Sequence, residues 1–166
     1  MVVSTKYRPE IDGLRAIAIG VVLLYHLGLS PFNGGFVGVD VFFVISGYLI
    51  TSILIEEMNR QDFSFLAFYE RRARRLFPAL CIVCLVSAVA TIFFIPPYYQ
   101  SQFGQSLSAT AFFSANFLFW WEDGYFDFAS ELKPLLHMWS LGIEEQFYLM
   151  TPLVLFLCWR YRSGLK

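Results

Sequence analysis

Charge is what this sequence has least of. Its 166 residues include 12 Lys and Arg and 13 Asp and Glu, or 15%, with a formal net charge of −1. An ordinary soluble domain carries about 25%. The chain therefore lacks the makings of a fully water-facing surface, and the balance of signs removes the electrostatic footprint of a nucleic-acid binder. Cysteine is scarce too. Cys81, Cys84 and Cys158 all sit inside apolar runs, and Cys81-x-x-Cys84 lacks the second Cys or His pair that a zinc site needs. These thiols read as small packing residues, and no metal or resident cofactor is expected. Nor is a cleavable signal peptide. Lys6 and Arg8 offer a basic start, but Arg15 interrupts the apolar stretch, no small-residue cleavage site follows, and further apolar stretches come directly after. Internal repeats and low-complexity tracts are absent.

What the chain has in abundance is hydrophobic and aromatic residues, 57% and 19%. The apolar residues gather in five stretches, 14–31, 36–56, 77–95, 103–121 and 137–159, separated by Pro and Gly clusters or by the polar segments 57–76 and 122–134. Such lengths predict an all-α integral membrane protein, a multi-span helical bundle. Lys6, Arg8 and Arg15 precede the first stretch or open it, and Arg60, Arg71, Arg72, Arg74 and Arg75 lie in 57–76, whereas the connectors 30–35 and 96–102 carry no charge. The positive-inside rule then predicts a cytoplasmic N-terminus and a cytoplasmic arginine segment. The fourth stretch decides the span count. If it crossed, the acidic segment with Glu122, Asp123, Asp127 and Glu131 would fall inside, and the tail with Arg160, Arg162 and Lys166 outside, both against the rule. Its polar groups, among them Gln105, Ser106, Thr110 and Asn116, suit a segment that dips in and returns or lies in the interface. The expectation is four full spans plus one re-entrant or interfacial segment.

Ionisable groups inside apolar stretches are the candidates for chemistry. Arg15 and His26 are eleven residues apart. On a helix that is three turns plus roughly 20°, so they share a face about 16 Å apart along the axis. Two readings of each stand. Arg15 snorkels to headgroups or faces a wet cavity, and His26 packs or accepts and returns a proton near neutral pH. Asp40 lies near the outer end of the second stretch, at the depth expected for His26. It either orients the imidazole or serves as a helix-start carboxylate. With Gly47 and Thr51 it forms a small and polar stripe expected to face other helices.

Phe68-Tyr69-Glu70-Arg71-Arg72-Ala73-Arg74-Arg75-Leu76-Phe77-Pro78 is the densest charge cluster. It is expected to form an interfacial helix running into the third span, with Pro78 in that span's first turn. Arg71, Arg72 and Arg75 make a comb that either binds phosphates or anchors the chain to anionic lipid. In the last stretch His137, Ser140 and Glu144 follow an i, i+3, i+7 line and so share a helix face, whereas Glu145 points about 100° away. A carboxylate there costs roughly 2–3 kcal/mol to insert, which argues that Glu144 has a use. Glu145 either has one too or pairs with an arginine or a backbone group.

Four motifs in order carry a resemblance. They are Tyr7-Arg-Pro-Glu-Ile-Asp12-Gly-Leu-Arg15, Phe36-Val-Gly-Val-Asp40-Val-Phe-Phe-Val-Ile-Ser46-Gly47, Phe68-Tyr69-x-Arg71-Arg72-x-x-Arg75-Leu-x-Pro78, and His137-x-Trp139-Ser140-Leu-x-x-Glu144-Glu145-Gln146-Phe147-Tyr148-Leu149. Together the chain resembles the acyltransferase-3 family of membrane O-acyltransferases. The resemblance implies transfer of an acyl group, usually acetyl from cytoplasmic acetyl-CoA, to a hydroxyl of a cell-envelope glycan such as peptidoglycan or lipopolysaccharide O-antigen. It also implies a multi-pass protein of the plasma membrane. The family's Arg-x10-His pattern falls on Arg15 and His26, and its Arg-x-x-Arg pattern on Arg72 and Arg75, with Arg71-x-x-Arg74 an alternative spacing. Arg15, Arg71, Arg72 and Arg75 are then expected to bind or steer acyl-CoA, and His26 to act as general base or acyl relay. Glu144, with Asp40, would orient His26 or carry the proton. The expected partners are acyl-CoA, a carbohydrate acceptor and the lipid bilayer, and no nucleic acid. Family members are longer, some with an added SGNH-type domain, so residues 1–166 read as the N-terminal portion of an acyltransferase-3 domain. Two other readings stand beside this one: a proton-coupled transporter or relay, and a non-catalytic binding module.

Overall fold

The structure, a computed structural model, describes residues 8–122 and 133–164, with side chains described as far as Tyr161. Lys6, Tyr7, Asp123, Asp127, Glu131, Lys166 and the side chain of Arg162 lie outside the described residues. The chain divides into two compact units, Met1–Phe63 with Met150–Lys166 (unit 1), and Ser64–Leu149 (unit 2).

Unit 1 opens with helix α1, Pro9–His26. Glu10 and Asp12 occupy its first turn, where carboxylates complement the helix N-terminus. Gly28, at φ +69°, ends it. The Leu29 amide bonds the Leu24 carbonyl and the Gly28 amide that of Tyr25, a C-terminal lock for which glycine is the favoured residue. Two short 3-10 turns, Ser30–Phe32 and Gly35–Val37, lead into helix α2, Gly38–Asn59.

Two glycines fix how α1 meets α2. A β-carbon on Gly35 would stand 2.2 Å from the Val21 carbonyl oxygen, and one on Gly38 2.6 Å from that of Ala18. Only bare backbone allows so close an approach. The register follows: Ala18 is level with Gly38 and Val21 with Gly35, and Arg8 reaches Tyr48 with a 2.6 Å hydrogen bond. The expected stripe of Asp40, Gly47 and Thr51 is therefore not what α1 packs on. Asp40 points about 200° from Gly38 and is exposed. Gly35→Ala is expected to force α1 off α2 and destabilise the detergent-solubilised protein by about 1–3 kcal/mol, read as a lower Tm. An unchanged Tm would refute this register.

Unit 2 begins with helix α3, Phe65–Phe94, capped where the Ala67 amide donates to Ser64 Oγ. The arginine segment is helical and runs directly into the third span, as expected, since α2 runs to Asn59 and α3 starts at Phe65. Pro78 lies inside α3, not in a first turn, because the arginine segment already supplies the preceding turns of the same helix. At 30 residues α3 is about 45 Å long, which exceeds an apolar layer of about 30 Å and leaves length for the arginine turns to stand outside it.

The fourth stretch folds as two helices, α4, Pro97–Ala111, and α5, Ala115–Trp121. At about 22 and 10 Å neither crosses an apolar layer alone, in keeping with a re-entrant or interfacial segment. The break between them is closed by the Ser114 amide on the Ala109 carbonyl, with Phe113 at φ +53°, a left-handed conformation that a bulky residue rarely takes. Unit 2 packs around Leu80, Phe103, Ala115, Phe119, Leu135 and Met138, and Cys84 lies against that core as a packing residue. Lys133 pairs with Glu122 at 2.7 Å, tying together the two ends of segment 123–132. Helix α6, Met138–Gly164, is shared between the units, and Pro152 is buried within it.

Three described helices are long and apolar enough to cross a membrane: Gly35–Asn59, Phe65–Phe94 and Met138–Tyr161. The first stretch differs from its expected bounds. It starts at Pro9, among Glu10, Asp12 and Arg15, and stops at His26.

Candidate functional site

Unit 1 holds Arg15, His26 and Asp40. Because α1 is continuous across both, Arg15 and His26 keep the shared face that their spacing predicts. Arg15 is half-buried and makes no hydrogen bond or ion pair among the described residues. The glycine crossing places it level with Val41, and both helices line one apolar groove there, through Leu14 and Val41 among others. Val41 is eighteen residues, about 27 Å, from Asn59. Arg15 thus stands towards the start of α2, far from the end that leads to Arg60.

His26 is the last residue of α1 and is exposed. Its Nδ1 lies 2.8 Å from the Val22 carbonyl oxygen. A carbonyl can only accept, so Nδ1–H donates, and in the neutral ring Nε2 keeps its lone pair. Tyr25 meets the imidazole edge-on at 5.3 Å, and the Tyr25 ring in turn meets the Phe36 ring edge-on at 5.8 Å. Asp40 is not the orienting group. The same register sets it level with Ala16, ten residues or about 15 Å from His26 along the axis, and no hydrogen bond joins them. At the start of α1 the Arg8 guanidinium donates to Glu10 Oε1 at 2.6 Å. The Glu10 backbone amide first, and then Arg8, hold the Glu10 carboxyl below its usual range.

Unit 2 holds the arginines and the carboxylates of α6. The Arg72 guanidinium lies 3.7 Å above the centre of the Tyr148 ring, and the Tyr148 hydroxyl donates to Glu144 Oε1. Glu145 is half-buried near the Arg72 charge, and no hydrogen bond or ion pair joins the two. Tyr69 on α3 donates its hydroxyl to the Leu149 carbonyl oxygen at 2.8 Å. Arg74 is committed to Glu70 at 2.6 Å. Arg75 is exposed with no ion pair or hydrogen bond among the described residues, and Arg71 is exposed beside it. The expected His137–Ser140–Glu144 line does not form, because α6 begins at Met138. His137 sits in the turn before it, where its carbonyl accepts from Ser140 Oγ at 3.0 Å.

Gln146 has a role that its place among the carboxylates did not disclose. Its Nε2 donates to the Phe113 carbonyl at 2.7 Å and to Asn116 Oδ1 at 2.9 Å, and Asn116 Nδ2 donates back to Gln146 Oε1. Gly142, one turn earlier, gives this contact its room. A β-carbon there would stand 3.0 Å from Asn116 Oδ1 and 3.1 Å from the Phe113 oxygen. A glutamine of α6 thus holds the break between α4 and α5. Two side-chain amides, each inside an apolar stretch, were the signal that could have found the pair.

No solved structure matches this chain. The Peptidoglycan O-acetyltransferase OatA of Listeria monocytogenes is 44% identical over 160 residues, covering 94% of this chain and 26% of its own length. The O-acetyltransferase OatA of Staphylococcus aureus is 46% identical over 167 residues, covering 96% and 26%. The chain thus spans about a quarter of the length of these curated relatives. The acyltransferase domain family matches residues 8–166, a range that includes the Arg15–His26 helix, the arginine segment and the α6 carboxylates. With a match of that extent, the chain belongs to the acyltransferase-3 family.

Proposed function

We propose that the chain is the part of a membrane O-acetyltransferase that moves acetyl from acetyl-CoA to a hydroxyl of a cell-envelope glycan, with peptidoglycan the first candidate acceptor. The names of the two relatives support the reaction and the acceptor class. The observation that carries the reading is the contact of His26 Nδ1 with the Val22 carbonyl oxygen, which uses Nδ1 as a donor and leaves Nε2 to serve as the base. The acceptor hydroxyl passes its proton to Nε2 as its oxygen attacks the acyl carbon. The carbon–sulfur bond breaks, and the CoA thiolate takes up the proton. The Val22 carbonyl does the orienting that Asp40 or Glu144 would otherwise do. Arg72 and Arg75, with Arg71, meet the CoA phosphates, for which planar guanidinium groups are suited. Arg15, half-buried and towards the start of α2, steers the acyl end. The protein sits in the plasma membrane with its N-terminus cytoplasmic.

Deleting the gene and weighing the muropeptides released from the wall tests this. O-acetylated muropeptides are expected to fall to background and return on complementation. Unchanged O-acetylation of peptidoglycan and of every other envelope glycan would overturn the proposal.

A further inference from the structure

We infer that Tyr148 is a positioning residue for Arg72: its buried ring holds the guanidinium by one face, which leaves the N–H edge for an anionic donor. The inference rests on the proposal that Arg72 meets the acyl donor. Four observations converge on it. The 3.7 Å separation is well inside the range of about 6 Å in which a cation and an aromatic face attract. The Tyr148 ring is itself immobilised, at 3% exposure and with its hydroxyl tied to Glu144 one turn earlier on α6. The Tyr69 bond to Leu149, the neighbour of Tyr148, pins α3 to α6 at this level. Finally, Arg72 donates no hydrogen bond among the described residues, whereas Arg74, three-quarters exposed nearby, spends its donors on Glu70. Stacking uses the flat face of a guanidinium and none of its five N–H groups.

The arrangement also gives Glu144 a purpose that does not require it to act on His26. It accepts from the Tyr148 hydroxyl and so fixes the platform on which Arg72 rests. A phosphate arriving at Arg72 also meets Arg75, which is exposed and makes no ion pair or hydrogen bond among the described residues. An arginine held in this way needs no search through rotamers before it binds, which is why the ring should show up in donor affinity.

The test uses the complete protein in membrane vesicles, with radiolabelled acetyl-CoA as the probe and KM for donor and acceptor measured separately. Tyr148→Phe keeps the ring but loses the tie to Glu144, and is expected to raise donor KM less than Tyr148→Leu does. Tyr148→Leu removes it and is expected to raise donor KM about 3- to 30-fold with acceptor KM unmoved. Combined with Arg72→Ala, it should add nothing to the effect of Arg72→Ala alone. Progressively fluorinated phenylalanines at position 148 keep the shape while draining the ring's negative face, and donor KM should climb with each fluorine. That series decides the matter even where Tyr148→Leu fails to accumulate. If Arg72→Ala leaves donor KM unchanged, the proposed role of Arg72 is wrong. If Arg72→Ala raises it while the fluorinated series stays flat, the role of Arg72 stands and the positioning by Tyr148 is refuted.

Discussion

His26→Gln is expected to lower glycan O-acetylation at least about a hundredfold while the protein accumulates in the membrane at its normal level. Glutamine is the informative replacement. Its amide can still donate to the Val22 carbonyl, the one hydrogen bond that His26 makes among the described residues, yet it cannot take a proton. A general base contributes roughly 10²–10⁴-fold, so the loss should be of that order. Stability should hardly move, because the side chain is exposed at the end of α1 and, among the described residues, is bonded to its own helix alone. His26→Ala should behave alike in rate. O-acetyl content of the purified glycan, set against the amount of protein in the membrane, gives the reading. Acetylation retained by His26→Gln would move the base to another residue.

Gln146→Leu is expected to destabilise the solubilised protein by about 2–5 kcal/mol and to open the chain to proteolysis at 112–114. Leucine is of similar size, so the effect isolates the hydrogen bonds. Gln146 satisfies the Phe113 carbonyl and the Asn116 amide together, and each polar group left without a partner costs about 1–3 kcal/mol. The same bonds hold Phe113 at φ +53°, a conformation that itself costs about 1–2 kcal/mol for a residue with a side chain. Adding Asn116→Leu should recover part of the loss, since removing both partners of a buried pair is gentler than removing one. Thermal unfolding and limited proteolysis check this. A Gln146→Leu protein as stable as the parent would mean that α4 and α5 hold their break unaided.

The membrane class and the pairing of Arg15 with His26 were legible in the sequence because both rest on local facts. One is the length of apolar stretches, the other the constant turn of a helix that covers Pro9–His26 without interruption. What depends on contacts between helices was not. Asp40 looked level with His26 because both were counted from the ends of their own stretches. The true register is set by Gly35 on Val21 and Gly38 on Ala18, a contact that no spacing within one helix announces. The break after Ala111 was hidden for another reason. Helix ends are read from Gly and Pro, and 112–114 is Phe-Phe-Ser, closed by a left-handed Phe113 and a glutamine thirty-three residues away. The arginine comb was visible as charge. Its division into a committed Arg74, a stacked Arg72 and an unpaired Arg75 depends on Glu70 and Tyr148, and only the first of these is near in sequence.

The central claim is that this chain carries the donor arginines and the base of an acetyl transfer. It is tested most directly by supplying labelled acetyl-CoA to membranes that contain the complete protein or its His26→Gln variant and following label into glycan. Label in the glycan with the parent, and at least about a hundredfold less with the variant at equal protein, is the expected result. Equal labelling by both, or none by the parent from acetyl-CoA while its glycan remains acetylated in cells, would contradict it.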